Sequence, residues 1–350
     1  MKLMKKISLF LLAVLMLSLT VLMTGCGSKE AAGPQDVNEP ATTKSTTEQT
    51  STANEAQKII EATNAYLTSG KAPTISVADV FNNVVVGKDP GYQLVEIRKP
   101  EDYAKGHVPG AINIPYADFY KQEALDKLSK DKKIVVICYT GHTASQITML
   151  LNQLGYDAYA MKFGMMGWST DENVLALKPF TKAPGYAVET KVNEAQPTNS
   201  LPQVNTGKQA AKEIILAQTE KHLTSGKAPT ISAQDIFNNV VTGKDPGYFL
   251  LSVRKAEDYA KGHVPGAVNI PLGQLAKEES LKKLPTDKKI VVICYTGHTA
   301  SQATMFLNQL GYDAYAMKFG MMGWTTDENV LALKPFTKGA GYQTTAGTNP

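Results

Sequence analysis

The sequence predicts an α/β protein made of two tandem copies of one domain, each a mostly parallel central sheet flanked by helices. Three observations predict it. The stretch Asp131 to Gln146 recurs unchanged as Asp287 to Gln302, and the register holds without a gap from about Ile59/Ile215 to Lys182/Lys338, an offset of 156 residues. Within it, Lys133 to Ile137 is an Ile/Val run without polar alternation, as a strand buried on both faces of a parallel sheet requires. Strand-like runs also alternate with helical periodicity along each copy, the pattern of strands joined by crossover helices.

The elements of the first copy follow in order. A helix over 56–67 has Ile59, Ile60 and Leu67 on one side and Gly70 beyond its end; its counterpart runs from Gln209 to Leu223. Ser76 with Asp79, and Ser232 with Asp235, have capping-box spacing and start short helices. Gly87 to Gly91 is a turn before a strand over Tyr92 to Ile97. Pro100 to Lys105 is a short helix stopped by Gly106, and a strand over Ala111 to Ile114 ends at Pro115. After the Ile/Val strand and a polar loop, Ala144, Ile147, Leu150, Leu151 and Leu154 form a helical stripe closed by Gly155. Ala158 to Met161 is the last strand. Ligands of such sheets bind at the carboxyl ends of the strands, where Cys138 and Cys294 fall.

The repeat gives domains over 55–182 and 207–338, each long enough to bury a core. Residues 26–54 are rich in Ser, Thr, Glu and Gln with almost no large apolar side chains, and read as an unfolded tether. Residues 183–206, with Pro184, Pro197 and Pro202, read as a linker, and 339–350 as a similar tail. At the other end, Lys2, Lys5 and Lys6 precede an apolar run from Ile7 to Met23, the layout of a signal peptide over 1–25. Thr24 and Gly25 before Cys26 resemble a bacterial lipoprotein cleavage site, although Met23 stands where Leu is usual. Cys26 would then become the first residue and carry the lipid, holding the chain to a membrane outside the cytoplasm. An uncleaved anchor and simple secretion are the alternatives. The formal charge of +4 owes three units to the three leader lysines, so the remaining chain is near neutral and has no electrostatic footprint for nucleic acid.

Without Cys26, one cysteine remains per copy. Exported proteins tend to pair cysteines, but a bridge here would need the two duplicated loops to touch, so two free thiols are expected. Each thiol leaves a strand tip into Cys138-Tyr139-Thr140-Gly141-His142-Thr143-Ala144, repeated as Cys294-Tyr295-Thr296-Gly297-His298-Thr299-Ala300. The glycine allows a tight turn, Thr143 is placed to cap the next helix, and successive loop N–H groups should converge on the sulfur. Such a nest beside a helix N-terminus stabilises a thiolate or an anion. A lone cysteine after an apolar strand is more often a small core residue; the glycine-containing polar loop favours chemistry.

These residues resemble the rhodanese family, over roughly 74–180 and 230–336. The resemblance rests on Glu96-Ile-Arg98, Glu101-Asp-Tyr103, Gly106 to Pro115, Cys138 to Ala144 and Gly164 to Trp168, with their second copies Ser252-Val-Arg254, Glu257-Asp-Tyr259, Gly262 to Pro271, Cys294 to Ala300 and Gly320 to Trp324. It implies a sulfurtransferase without cofactor. Cys138 and Cys294 would take sulfane sulfur from thiosulfate, a persulfide or a polysulfide and pass it to a thiol or cyanide. Its competitor is a sulfur carrier or thiol-sensing module without turnover, and a structural protein with vestigial sites is the third reading. The chain departs from the family twice. Family loops often carry Arg at the position of Thr143 and Thr299, and neither loop has any Arg or Lys. Glu96 and Ser252 also stand where the family usually has Asp.

His142 and His298 are read either as donors or partial cations near the sulfur or as solvent-facing loop residues; two ligands per site are too few for a metal. His107 and His263 are read as structural hydrogen-bonders. Arg98 and Arg254 are expected to support the site by pairing with acids such as Glu101 and Glu257, and Met165, Met166 and Trp168 to be core or pocket wall. The anchor can be checked directly. Expressed with its leader in a bacterium fed a clickable palmitate analogue, the wild type should be labelled and sediment with membranes, whereas Cys26→Ala should do neither; equal labelling would exclude Cys26 as the lipid site.

Overall fold

The structure is a computed structural model that describes residues 44–349, with side chains from Glu55 onward. The expected signal peptide, Cys26 and the tether up to residue 43 lie outside the described residues. Helix α1 (Lys44–Leu67) begins inside the segment expected to be tether. It is followed by β1 (Thr74–Ile75) and α2 (Val77–Asp79), where the Ser76 hydroxyl accepts from the Asp79 N–H at 3.0 Å as the capping spacing predicts. Then come β2 (Tyr92–Glu96), α3 (Pro100–Lys105), β3 (Ile112–Asn113), α4 (Gln122–Leu125), β4 (Lys133–Ile137), α5 (His142–Gln153), β5 (Asp157–Met161), α6 (Gly164–Trp168) and α7 (Glu172–Leu175).

The second copy repeats this order: α8 (Ala211–Leu223), β6 (Thr230–Ile231), α9 (Ala233–Ile236), β7 (Tyr248–Ser252), α10 (Ala256–Lys261), β8 (Val268–Asn269), α11 (Glu278–Leu281), β9 (Lys289–Ile293), α12 (His298–Leu310), β10 (Asp313–Met317) and α13 (Glu328–Leu331). Each copy holds a five-stranded, all-parallel sheet, ordered β1-β5-β4-β2-β3 and β6-β10-β9-β7-β8. The Ile/Val strands β4 and β9 are central, and Ile134 to Ile137 are buried throughout.

Both repeats lie in one compact unit spanning residues 43–350. They do not keep wholly separate cores. One apolar cluster runs through both, joining Ile59, Ile60, Ile147 and Leu150 to Ile214, Ile215, Phe306 and Leu310. The opposite face of each sheet has its own cluster, around Trp168 in repeat 1 and Trp324 in repeat 2. The shared layer arises because α5 packs on its duplicate α12, so both helices are covered by a sheet on one side and by each other on the other. Two of the three differences between the copies over 131–182 fall there. Ile147 becomes Ala303 and Leu150 becomes Phe306, three side-chain carbons lost and three gained on one helical stripe. Volume-conserving exchange of this kind keeps a core packed.

Polar residues in the shared layer are paired across it. Gln153 and Gln309 donate to each other at 2.8 and 3.0 Å, and each also donates to a threonine of its own repeat's first helix, Thr63 and Thr219. Burying such amides is tolerated because their donors find acceptors.

The segments expected to be a loose linker and tail are instead laid on the sheets, each on the other repeat. After repeat 1, Tyr186 stacks on Phe237 at 4.1 Å, the Trp324 indole N–H donates to the Ala187 carbonyl, and Glu189 and His263 exchange backbone bonds at 2.9 Å. After repeat 2, Tyr342 stacks on Phe81 at 3.9 Å, Trp168 donates to the Gln343 carbonyl, and Thr345 bonds with His107 in the same way. Polar composition misled here because a few aromatic anchors suffice to fix an extended strap. The far end of the linker is held by Glu55, whose carboxylate accepts from the Thr206 and Gly207 N–H groups.

Tyr342→Ala should therefore destabilise repeat 1 although it lies outside it. Loss of a stacked, half-buried ring should cost about 1–3 kcal/mol in urea unfolding, and Tyr186→Ala should do the same to repeat 2. A change within about 0.3 kcal/mol of wild type would show that the straps contribute nothing.

Candidate active site

β4 ends at Ile137, and the chain leaves the sheet at Cys138; β9 delivers Cys294 in the same way. Both cysteines are free and almost fully buried. Gly141 has φ +87° and Gly297 φ +87°, so each turns in the left-handed region, where glycine is at ease. That turn brings the Gly141 N–H to 3.1 Å from Cys138 Sγ, and the Gly297 N–H to 3.0 Å from Cys294 Sγ. The loop's own carbonyls are clamped by the start of α6, where Met165 N–H donates to Cys138 O and Met166 N–H to Tyr139 O.

The helix after the loop begins earlier than expected. Thr143 lies inside α5 and does not cap it; Gly141 occupies the cap position, and Ser145 bonds back to the Gly141 carbonyl through both its N–H and its hydroxyl. Among the described residues Gly141 N–H is the loop amide bonded to the sulfur, so the anticipated convergence of several amides reduces to one.

His142 and His298 line the pockets of their own loops, but they are buried and neutral, neither cationic nor solvent-facing. Each ring is buried and reaches into the other repeat: the Phe319 N–H donates to His142 Nε2 at 3.0 Å, and the Phe163 N–H to His298 Nε2 at 2.9 Å. A nitrogen that accepts from an amide carries no proton, so each neutral ring holds its proton on Nδ1, facing Thr140 or Thr296 Oγ1 at 2.7 and 2.8 Å. Burial lowers His142 well below the ordinary imidazole range, helped by the His298 ring and Lys318, and pushes His298 down to about 3, with Lys162 adding to the effect. The rings stack with centroids 5.8 Å apart. A Cβ on Gly141 would stand 2.3 Å from His298 Nε2, a second reason for glycine there.

The two cysteine loops therefore do meet, the contact that a disulfide between them would need, yet both thiols are free. Each loop opens into a pocket completed by the opposite repeat. The Cys138 pocket, about 280 Å³, is lined by Thr140, Thr143 and Leu177 with Pro229, Thr230 and Lys318 from repeat 2. The pocket beside the Cys294 loop, about 360 Å³, is lined by Thr296, Thr299 and Leu333 with Pro73, Thr74 and Lys162 from repeat 1, and Lys255 of its own repeat. The loops lack a basic residue, but their pockets do not. Lys162 and Lys318 follow the last strands, at the same sheet end that located the cysteines; which pocket each serves depends on the packing of the repeats.

The remaining candidates stand behind the loop. Tyr139 donates to the Asp102 carboxylate at 2.6 Å, and Tyr295 to Asp258 at 2.7 Å. Ala144 and Ala300 are packed in the shared core. Arg98 is fully buried and pairs with Glu96 at 2.6 Å, not with Glu101; its remaining donors go to the carbonyls of Val174 and Gly106. Burial pushes the Glu96 carboxyl up to about 7 against the pull of Arg98 and the Val108 N–H. Arg254 reaches only carbonyls, of Val330, Asp258 and Gly262, and not Glu257. Proximity in sequence suggested the wrong acids because both arginines point inward, beneath the sheet end. His107 and His263 bond through Nδ1 to the Tyr103 and Tyr259 carbonyls and stack on those rings, as structural residues. Among the described residues no group of side chains could hold a metal ion, and no helix is long and apolar enough to cross a membrane.

The histidine pair makes stability depend on pH. Both folded-state pKa values lie below the ordinary 6.5, so the stabilisation is complete above pH 6.5 and is lost as pH falls below it, in the case of His298 down to about 3. Each ring should cost about 1.4 kcal/mol per pH unit in that window. The double variant His142→Gln/His298→Gln keeps an acceptor for each Phe N–H. Relative to wild type, it should lose about 2–4 kcal/mol less between pH 7 and pH 5 in urea unfolding; parallel losses would show that the rings are not buried and neutral.

Comparison with known proteins places this architecture. The Rhodanese-like domain model matches residues 86–171 and 236–327, together about half the chain. "Putative sulfurtransferase YtwF" of Bacillus subtilis is 32% identical over 80 residues, 23% of this chain and 76% of that protein. Thiosulfate:glutathione sulfurtransferase of Saccharomyces cerevisiae is 29% identical over 94 residues, 23% of this chain and 68% of that protein. Among solved structures, a rhodanese-related protein from Thermoplasma volcanium shares 27% identity with a TM-score of 0.25, covering 28% of this chain and 90% of that one. With the cysteine loop duplicated at the tip of a central parallel strand, and the family model matching in both places, the chain belongs to the Rhodanese-like domain family and carries that domain twice.

Proposed function

We propose that both repeats are sulfurtransferase centres in which Cys138 and Cys294 carry sulfane sulfur as persulfides. The observation that carries this reading is the cysteine at a strand tip, with a loop N–H on its sulfur, in a loop that lines a pocket to which the other repeat contributes a lysine. The sulfurtransferase relatives support the reaction class. In the first half-reaction the cysteine thiolate attacks the outer sulfur of the donor. The S–S bond of the donor breaks, and its electron pair leaves with sulfite when thiosulfate is the donor, or with a thiolate when the donor is a persulfide. In the second half, an acceptor thiolate or cyanide attacks the outer sulfur of the enzyme persulfide and releases the cysteine as thiolate. Charge balances in both steps without a redox partner.

The Gly141 and Gly297 N–H groups would stabilise the anionic sulfur. Lys318 over the Cys138 loop, and Lys162 over the Cys294 loop, would hold an anionic donor in place of the loop arginine that the family often has. The lipid anchor at Cys26 would set this chemistry at a membrane surface outside the cytoplasm. A second reading, a sulfur carrier without turnover, is favoured by the near-complete burial of both thiols.

Intact mass after exposure to thiosulfate should show two added sulfurs on wild type, one on Cys138→Ser or Cys294→Ser, and none on the double variant. Sulfite release by the double variant at the wild-type rate would end the enzyme reading; loading without turnover on any thiol acceptor or cyanide would leave the carrier. In the Cys294→Ser background, Lys318→Gln should raise KM for thiosulfate roughly fivefold, a contribution of about 1 kcal/mol. The same change should leave turnover of an uncharged dialkyl trisulfide unaltered.

A further inference from the structure

The copies differ at a buried charged position where the second strand of each sheet domain ends. In repeat 1 the Glu96 carboxylate is fully enclosed, accepting from Arg98 Nε at 2.7 Å through one oxygen and from the Val108 N–H at 2.9 Å through the other. At the same register in repeat 2 stands Ser252. Five neighbours are the same: Tyr259, Gly262, Val264, Ala267 and Val330 repeat Tyr103, Gly106, Val108, Ala111 and Val174, while the strap beside the glycine brings Val188 in place of Thr344. No larger side chain takes the place of the missing carboxyl. Arg254 is fully buried, and its Nε has no hydrogen-bond partner; the Ser252 hydroxyl, 1% exposed, has none either. The register adds the Val264 N–H as a third donor facing the same place. Asp258 does not substitute for the lost carboxylate, because its counterpart Asp102 occupies the same position beside Arg98 in addition to Glu96.

We propose that repeat 2 binds a small monovalent anion at this position, of the size of the carboxyl group that Glu96 supplies in repeat 1. Arg254 Nε, the Ser252 hydroxyl and the Val264 N–H are its donors. A guanidinium enclosed with Asp258 nearby but no carboxylate on its Nε is unfavourable, and donors converging without an acceptor compound the cost. A formate or halide ion removes both penalties, whereas a water molecule satisfies donors but leaves the charge. The site lies behind the Cys294 loop, with the Arg254 guanidinium 5.6 Å from the Tyr295 ring. It does not depend on whether that cysteine transfers sulfur.

The experiment is an anion titration of stability, in gluconate buffer at constant ionic strength with sodium formate as the probe. Wild type should be stabilised, its folding equilibrium rising about 100-fold when formate reaches 100 times its Kd. Ser252→Glu rebuilds the repeat 1 arrangement and should be insensitive to formate. Glu96→Ser should create a second site and steepen the dependence. Crystals of wild type soaked in bromide supply a reading that needs no variant: an anomalous peak within hydrogen-bond distance of Arg254 Nε is expected. Equal formate responses of wild type and Ser252→Glu, or a water in place of bromide, would overturn the proposal.

Discussion

The packing of α5 against α12 is the constraint on which the rest of the molecule depends. Each helix leaves a cysteine loop, so bringing the two helices together brings the two loops together. Burial on both faces explains why residues with no evident place in a core, such as Thr148, Gln153 and their copies, are enclosed and still satisfied. It also explains the histidines. Between two backbones and away from water, an imidazole is more useful as a neutral acceptor than as a charge, and each ring serves the opposite repeat's Phe N–H.

This reciprocity extends to the pockets. The cysteine, the glycine turn and the loop amide come from one repeat, while a lysine and part of the pocket wall come from the other. Neither pocket is complete in an isolated domain. The straps after each repeat follow the same logic, capping the opposite repeat's tryptophan. Duplication thus produced two centres that complete each other, with the shared helical layer nearly identical and the divergence placed in the amino-terminal half of each copy, including Glu96 against Ser252.

Much of this was legible in the sequence. The duplication, the parallel sheet, the short helices, their caps at Ser76 and Ser232, and the strand-tip position of Cys138 and Cys294 all follow from local patterns: period, turn residues, capping spacing and an unalternated apolar run. These are properties that a residue shares with its neighbours along the chain. The errors share a cause of the opposite kind. Local pattern makes Thr143 a cap, Arg98 a partner of Glu101, His142 a cation near the sulfur or a solvent-facing residue, and residues 183–206 and 339–350 a linker and a tail. Each of those assignments depends on what lies opposite in space.

The family, the fold of each repeat and the strand-tip place of its cysteine can be read along the chain, because short-range periodicity and motif order specify a parallel sheet and what stands at its strand ends. Only the tertiary structure decided that the repeats lend each other a lysine, a histidine and a strap. Contacts between residues some 156 positions apart are set by the fit of two apolar helix faces and leave no periodic trace in the chain.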